Sequence, residues 1–414
     1  MWSGPEGDPG VVSFGKTSSV FCLFRMEREQ DNVRLYVYNP YNDGHFWIDS
    51  RDTGPVDVVE TRQGQQPPNQ NCAGAIYDPS RPAVATSTPL TPPTPTAPPI
   101  TDLRLGQPLV LALYYPWYDL SAWEGGKTAD QPAEPYLSSD PATAAQHVAW
   151  AREAGIDVLV SAWFGPRDNN PTEANFKQLL TAAQRGGTRA ALLLETDSDE
   201  FFPNRDALVR ALRHALDTHA SHPAYLRVDG RPVIMVWNPK SAFGADGQRV
   251  NAKNAAAVRA WTSLLDEVDP QRRALWMAEG DFFDLLTVFD GIFPYSIAWS
   301  PNPANQLASY GQTVRSRATA LGERKVWAAT AMPGYDDTRI HGRAGTFAVA
   351  REDGAYYERT FTGAINSRPD WVVITSFNEW LEGTQIEPAK TYGRRYLDLT
   401  RTLVDRFKRS AAGP

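Results

Sequence analysis

The chain has only two cysteines, Cys22 and Cys72, in 414 residues. That excludes a scaffold stapled by several disulfides. The two thiols either pair, which implies an oxidising compartment, or stay free and buried; their spacing leaves both open. Long apolar runs are also missing, and none approaches the roughly 20 residues of a membrane span. Met1–Gly10 has no basic stretch followed by an apolar one, so no signal peptide is expected there. Positive charge is not in excess. Lys and Arg number 41 against 48 Asp and Glu, for a net charge of −7, which argues against a nucleic-acid partner. Histidines are few, at six. His214, His219 and His222 cluster at an expected helix end, but no acid stands at ligand spacing beside them. There is no Gly-x-Gly-x-x-Gly after the first strand, no Walker loop, no Gly-x-Ser-x-Gly and no His-Glu-x-x-His. Nucleotide, serine-hydrolase and zinc-protease chemistries are disfavoured together.

Aromatics are abundant, with 13 Trp and 16 Tyr. They suit stacking on sugar faces and equally the filling of a large core.

Residues 11–78 read as a small β module. Val33, Leu35 and Val37 alternate with Arg34, Tyr36 and Tyr38, and Asp43-Gly44 leads back into His45–Asp49, a hairpin pattern. The hairpin resembles bacterial SH3-like surface modules. Two readings stand: cell-wall or glycan attachment through residues 1–78, or a structural appendage. Between Pro79 and Pro99 lie eight prolines and five threonines, an extended linker of the kind that joins modules of secreted hydrolases. A secreted or cell-surface location follows as an expectation.

From residue 101 the pattern changes to short apolar runs alternating with amphipathic stretches. The runs are 109–115, 156–163, 189–194, 232–237, 273–277, 291–296, 325–330 and 371–376. Seven helical stretches are expected among and after them. The arithmetic is that of an α/β protein with a (β/α)8 TIM barrel over 101–414; an open doubly wound sheet uses the same elements. In such a barrel the site lies at the C-terminal ends of the strands. Those ends carry Tyr115 and Trp117, Trp163, Glu195, Trp237, Glu279, Tyr295 and, after the last run, Glu379 and Glu382. One face collecting acids and aromatics is what a sugar cleft needs.

The run Trp371–Ser376 is a buried strand that ends in Phe377-Asn378-Glu379-Trp380-Leu381-Glu382. Asn378 is a helix N-cap candidate, and a helical turn starting there places Glu379 and Glu382 on one face. Two carboxylates so close repel, so at least one pKa should rise.

Phe377–Trp380 followed by Glu382-Gly383-Thr384-Gln385-Ile386-Glu387 resembles the signature of glycoside hydrolase family 99, the endo-α-1,2-mannosidases and endo-α-1,2-mannanases. Leu381 departs from it, standing where the family usually has His. Tyr114–Tyr118, Tyr136–Asp140 with His147, Ser161–Pro166 and Gly334–Ile340 resemble further family motifs, so the likeness covers most of 108–410. It implies a retaining endo-hydrolase of α-mannan or mannose-containing glycans that needs no metal or other cofactor. On the family's scheme Glu379 deprotonates the sugar's 2-hydroxyl, which attacks C1 to give a 1,2-anhydro sugar. Glu382 protonates the leaving oxygen and is expected to carry the raised pKa. Tyr115, Trp117, Trp163, Glu195, Tyr295 and Tyr335 are the implied substrate contacts. Glu387 is expected to be structural. Two alternatives remain: a related glycosidase acting on another polysaccharide, and a non-catalytic glycan-binding protein.

Overall fold

The computed structural model describes residues 22–29, 32–39, 44–49, 103–167 and 170–411. The chain divides into two compact units, Met1–Thr94 and Pro95–Pro414. In the first, β1 (Cys22–Glu29), β2 (Asn32–Asn39) and β3 (Gly44–Asp49) form an antiparallel sheet in sequence order. β2 and β3 pair from Arg34 opposite Asp49 to Asn39 opposite Gly44, the expected hairpin. Cys72, the linker 79–100 and the remainder expected to complete an SH3-like module lie outside the described residues.

The second unit is a closed barrel of eight parallel strands. They are β4 (Leu109–Tyr114), β5 (Val158–Trp163), β6 (Arg189–Glu195), β7 (Arg231–Trp237), β8 (Leu275–Glu279), β9 (Gly291–Phe293), β10 (Val326–Ala331) and β11 (Trp371–Ile374). Each pairs with the next; β11 pairs with β4, closing the cylinder and removing the open-sheet alternative. Helices α1 (Pro141–Glu153), α2 (Pro171–Gly186), α3 (Arg205–His214), α4 (Ala255–Val268), α5 (Pro303–Leu321), α6 (Ala355–Asn366) and α7 (Arg395–Ala411) accompany seven of the strands. Only a 3-10 turn, Phe283–Thr287, separates β8 from β9. Local chemistry starts these helices. Asp140-Pro141, Asn170-Pro171 and Asn302-Pro303 each put a side-chain cap ahead of a proline in the first turn, where the missing N–H costs nothing. Among the described residues, no helix is long and apolar enough to cross a membrane.

Strand alternation sorts the core into two layers. Leu111, Leu113, Val158, Val160, Leu193, Met235, Met277 and Val373 fill the barrel interior. Ala112, Leu159, Trp163, Leu194, Val236 and Ile374 pack outward under the helices. This period of two decides which strand-end side chains reach the mouth. Tyr115, Trp237 and Tyr295 follow the inward set, and Glu195 and Glu279 occupy the inward phase of β6 and β8. Trp163 occupies the outward phase.

Two hairpins decorate the mouth. Ser241–Phe243 pairs with Arg249–Asn251 after β7, and Tyr335–Asp336 pairs with Ala348–Val349 after β10. The second carries the loop 337–347.

Candidate active site

The strand-to-loop transition after β11 is not helical. Residues 378–383 form turns, with the Gly383 N–H donating to the Trp380 carbonyl at 3.3 Å. The expected N-cap role of Asn378 is therefore replaced by another. Its Oδ1 accepts the Tyr115 N–H at 2.7 Å and its Nδ2 donates to the Tyr115 carbonyl at 3.0 Å. A short amide side chain that can imitate a backbone pairs two loops instead of starting a helix. The two barrel ends, β4 and β11, are locked together where the chemistry falls.

Glu379 is buried against this seam, at 4% exposure. Its Oε1 accepts the Tyr118 hydroxyl at 3.2 Å and the Leu381 N–H at 3.1 Å. The Ser376 hydroxyl accepts the Glu379 N–H at 2.6 Å. Burial pushes the Glu379 carboxyl well above the usual carboxylate range, and the neighbouring Glu382 charge pushes it further. The expectation that at least one carboxyl of the pair is raised is met at Glu379. Glu379 lies deeper and has no cation in its hydrogen-bond set.

Glu382 faces donors. The Tyr295 hydroxyl donates to Oε2 at 2.7 Å, and the Arg343 guanidinium donates to Oε1 at 2.6 Å. Arg343 also reaches Asp337 at 3.2 Å and the Tyr335 hydroxyl at 3.4 Å. The Tyr335 hydroxyl donates to Asp337 at 3.1 Å, and its ring stacks on Phe347 with centroids 4.7 Å apart. Tyr335 thus supports the loop that supplies the guanidinium.

Two further acids complete the mouth. Burial pushes the Glu195 carboxyl up to about 8, helped by the charges of Glu382 and Glu279. Glu279, which carried no motif, is also raised by burial, against hydrogen bonds from the Tyr295 and Asn238 N–H groups at 3.3 Å. The charges of Glu382 and Glu279 act on Glu195, and those of Glu382 and Glu195 act on Glu379. Tyr115, whose hydroxyl donates to Tyr295 at 3.3 Å, is raised by burial and then by Glu379 and Glu195.

Trp117 packs on Tyr115 at 4.8 Å and on Phe164 at 6.0 Å. Phe164, one residue after Trp163, is thereby the partner of Trp117. Trp163 itself is fully buried, its Nε1 donating to Glu173 at 2.8 Å. The expectation that it touches sugar is corrected: β5 presents Ala162 to the interior and Trp163 to the helix layer.

Glu387 is structural, as expected. Its carboxylate accepts from Tyr136 at 3.0 Å and Trp380 Nε1 at 3.0 Å, and lies 2.9 Å from His147 Nε2. The other His147 nitrogen meets the Tyr114 hydroxyl at 3.0 Å. The Tyr136 hydroxyl also accepts from Asn378 at 3.2 Å, so this buried network braces the seam from behind.

The residues missed as individual contacts are Tyr118, Phe164 and Arg343. Tyr118 and Phe164 lie inside motifs that the sequence displays. Arg343 lies in a loop without periodicity, and nothing around it in the chain points to Glu382, 39 positions further on. Another expectation is corrected here: an acid does join the histidine cluster. Glu173 of α2 lies 3.0 Å from His214 Nε2 and 2.9 Å from His219 Nε2, brought there by tertiary packing.

A parallel barrel whose C-terminal mouth holds a carboxylate pair, further carboxyls and an aromatic wall defines the class of barrel glycosidases. The chain belongs to glycosyl hydrolase family 99, whose model matches residues 132–409. It is 28% identical over 289 residues to a human glycoprotein endo-alpha-1,2-mannosidase-like protein, covering 64% of this chain and 58% of that protein. It is 28% identical over 279 residues to the Xenopus laevis glycoprotein endo-alpha-1,2-mannosidase, covering 64% and 60%. The match thus spans less than two thirds of these relatives' own length. Among solved structures, the family-99 endo-alpha-mannosidase from Bacteroides thetaiotaomicron superposes with a TM-score of 0.59 at 25% identity, over 73% of this chain and 98% of that one.

Proposed function

We propose that the chain is a retaining, endo-acting glycoside hydrolase that cuts α-mannosidic linkages in mannan or mannose-containing glycans. Family membership supports the substrate class. The observation that carries the chemistry is the Glu379–Glu382 pair, one member buried with its carboxyl pushed well up and the other held between Tyr295 and Arg343.

On this reading the pair works with one proton. Substrate entering the mouth draws Arg343, which is 41% exposed, away from Glu382, and the proton passes to Glu382. Glu379, now a carboxylate, takes the proton of the 2-hydroxyl as O2 attacks C1. Glu382 gives its proton to the leaving glycosidic oxygen. The 1,2-anhydro sugar then opens to water: Glu382 takes the water's proton, the new C1–OH forms, and Glu379 returns its proton to O2. Two inversions give net retention. Glu195, neutral below about pH 8, donates a hydrogen bond to a sugar hydroxyl. The Trp117–Phe164 pair offers a platform for an apolar sugar face.

One observation favours a related glycan on the leaving-group side. Leu381, partly exposed between the two acids, puts an aliphatic side chain where the family usually has an imidazole. Reducing-end release from a panel of α-mannans of defined linkage tests the reading. Wild type is expected to release oligosaccharides and Glu382→Gln to release none above background. Equal release by both proteins would overturn it.

A further inference from the structure

The helix layer behind β5 holds a cluster that the proposed reaction does not use. α3 ends at His214 and continues without a break into a π-helical segment, Ala215–His219. Its defining bond runs from the Ala220 N–H to the Ala215 carbonyl at 3.0 Å. In an α-helix, residues five apart point to different faces. The wider π turn, with its i→i+5 bond, brings them back to one face. His214 and His219 are five apart, and both turn their Nε2 atoms to the same carboxylate, that of Glu173 on α2, at 3.0 and 2.9 Å.

Two imidazole nitrogens and one carboxylate oxygen lie within 4.8 Å of one another. We propose that Glu173, His214 and His219 bind a zinc ion, with water in the fourth position. A borderline-soft cation with no geometric preference accepts such a mixed nitrogen and oxygen set.

The surroundings have the form of outer partners of a metal site. Trp163 Nε1 donates to Glu173 Oε2 at 2.8 Å, which orients the carboxylate. The Thr218 hydroxyl faces His214 Nδ1 at 3.4 Å, on the ring nitrogen opposite the proposed ligating atom. Phe176 and Trp163 contact the His219 ring edge-on, with centroids at 5.0 and 5.9 Å. The competing cation is Lys177, 2.7 Å from Glu173 Oε1. Its side chain is 55% exposed, so it can swing into solvent when zinc arrives. Access is from the same side, where the His214 side chain is 26% exposed. Zinc here would fasten α2 to the end of α3 beside the indole of Trp163.

The test uses the full chain without a histidine tag. After incubation with zinc sulfate and desalting, wild type is expected to retain one zinc per chain and to melt at higher temperature than after chelator treatment. His214→Ala, a change at the exposed edge of the cluster, is expected to bind zinc at least about 100-fold more weakly and to lose the thermal shift. Cobalt(II) added to wild type is expected to give the visible absorption of a four-coordinate site, and this reading does not depend on any variant folding. Absence of retained zinc and of that absorption in wild type would overturn the proposal. So would an unchanged zinc affinity in a folded His214→Ala.

Discussion

The Tyr295 hydroxyl donates to Glu382 at 2.7 Å and accepts from Tyr115 at 3.3 Å. One phenol thereby ties the loop after β9 to the loops after β4 and β11. A hydrogen bond to a charged group contributes about 1.5–3 kcal/mol. Tyr295→Phe is therefore expected to lower kcat by about 10- to 150-fold. The thermal midpoint should move little, because the ring and its packing remain. Steady-state kinetics beside a melting curve would check both.

Burial and the neighbouring Glu382 charge push the Glu379 carboxyl well above the usual carboxylate range and favour its neutral form. Glutamine imitates that neutral form. Glu379→Gln should therefore fold normally and be at least as stable as wild type at about pH 8, yet lose about 100- to 10,000-fold in kcat, the usual contribution of an acid–base group. Lower stability in this variant would show that the carboxylate, and not the acid, is the resting form.

Glu195 makes stability fall as pH rises. Its carboxyl is raised from an ordinary 4.5 to about 8, so between those values the folded state binds more protons than the unfolded one. The contribution is fully present below about pH 4.5 and is lost as pH climbs toward 8. Glu195→Gln should flatten this slope and raise the melting temperature at about pH 8 relative to wild type. A melting series from about pH 5 to about pH 8.5 reads the difference.

Trp163 lies behind the site, where its Nε1 satisfies Glu173. Trp163→Phe should cost stability, on the order of 1–3 kcal/mol for the lost hydrogen bond and lost volume. KM for a mannan substrate should change less than about twofold. A large rise in KM with unchanged stability would return Trp163 to the sugar-binding surface.

How much of this was legible in the chain differs residue by residue. The strands showed themselves as β-branched and aliphatic runs, because parallel barrel strands are buried on both faces. Their ends slipped by a residue or more, as at β8, where the run expected from Arg273 becomes a strand only at Leu275 and extends to Glu279. Asp269 explains the delay: its carboxylate accepts the Arg273 and Ala274 N–H groups at 2.8 and 3.0 Å, holding both residues in the turn before the strand. Glu379, Glu382, Glu195 and Tyr295 were visible because each sits at or just beyond the end of such a run. Trp163 was misplaced although the same alternation was available, since Leu159 and Trp163 share the outward phase. Asn378 misled because the side chains that cap helices also bridge loops. Arg343, and the meeting of Glu173 with His214 and His219, had no local signal at all. Both depend on segments brought together only by closure of the barrel and packing of its helices.

The most direct test of the central claim follows the anomeric protons by NMR while the enzyme cuts a defined α-mannan. The account predicts that newly released reducing ends appear first as the α-anomer and only later mutarotate, and that Glu382→Gln releases none. First appearance of the β-anomer would contradict it, because a pair acting through a 1,2-anhydro sugar must retain configuration.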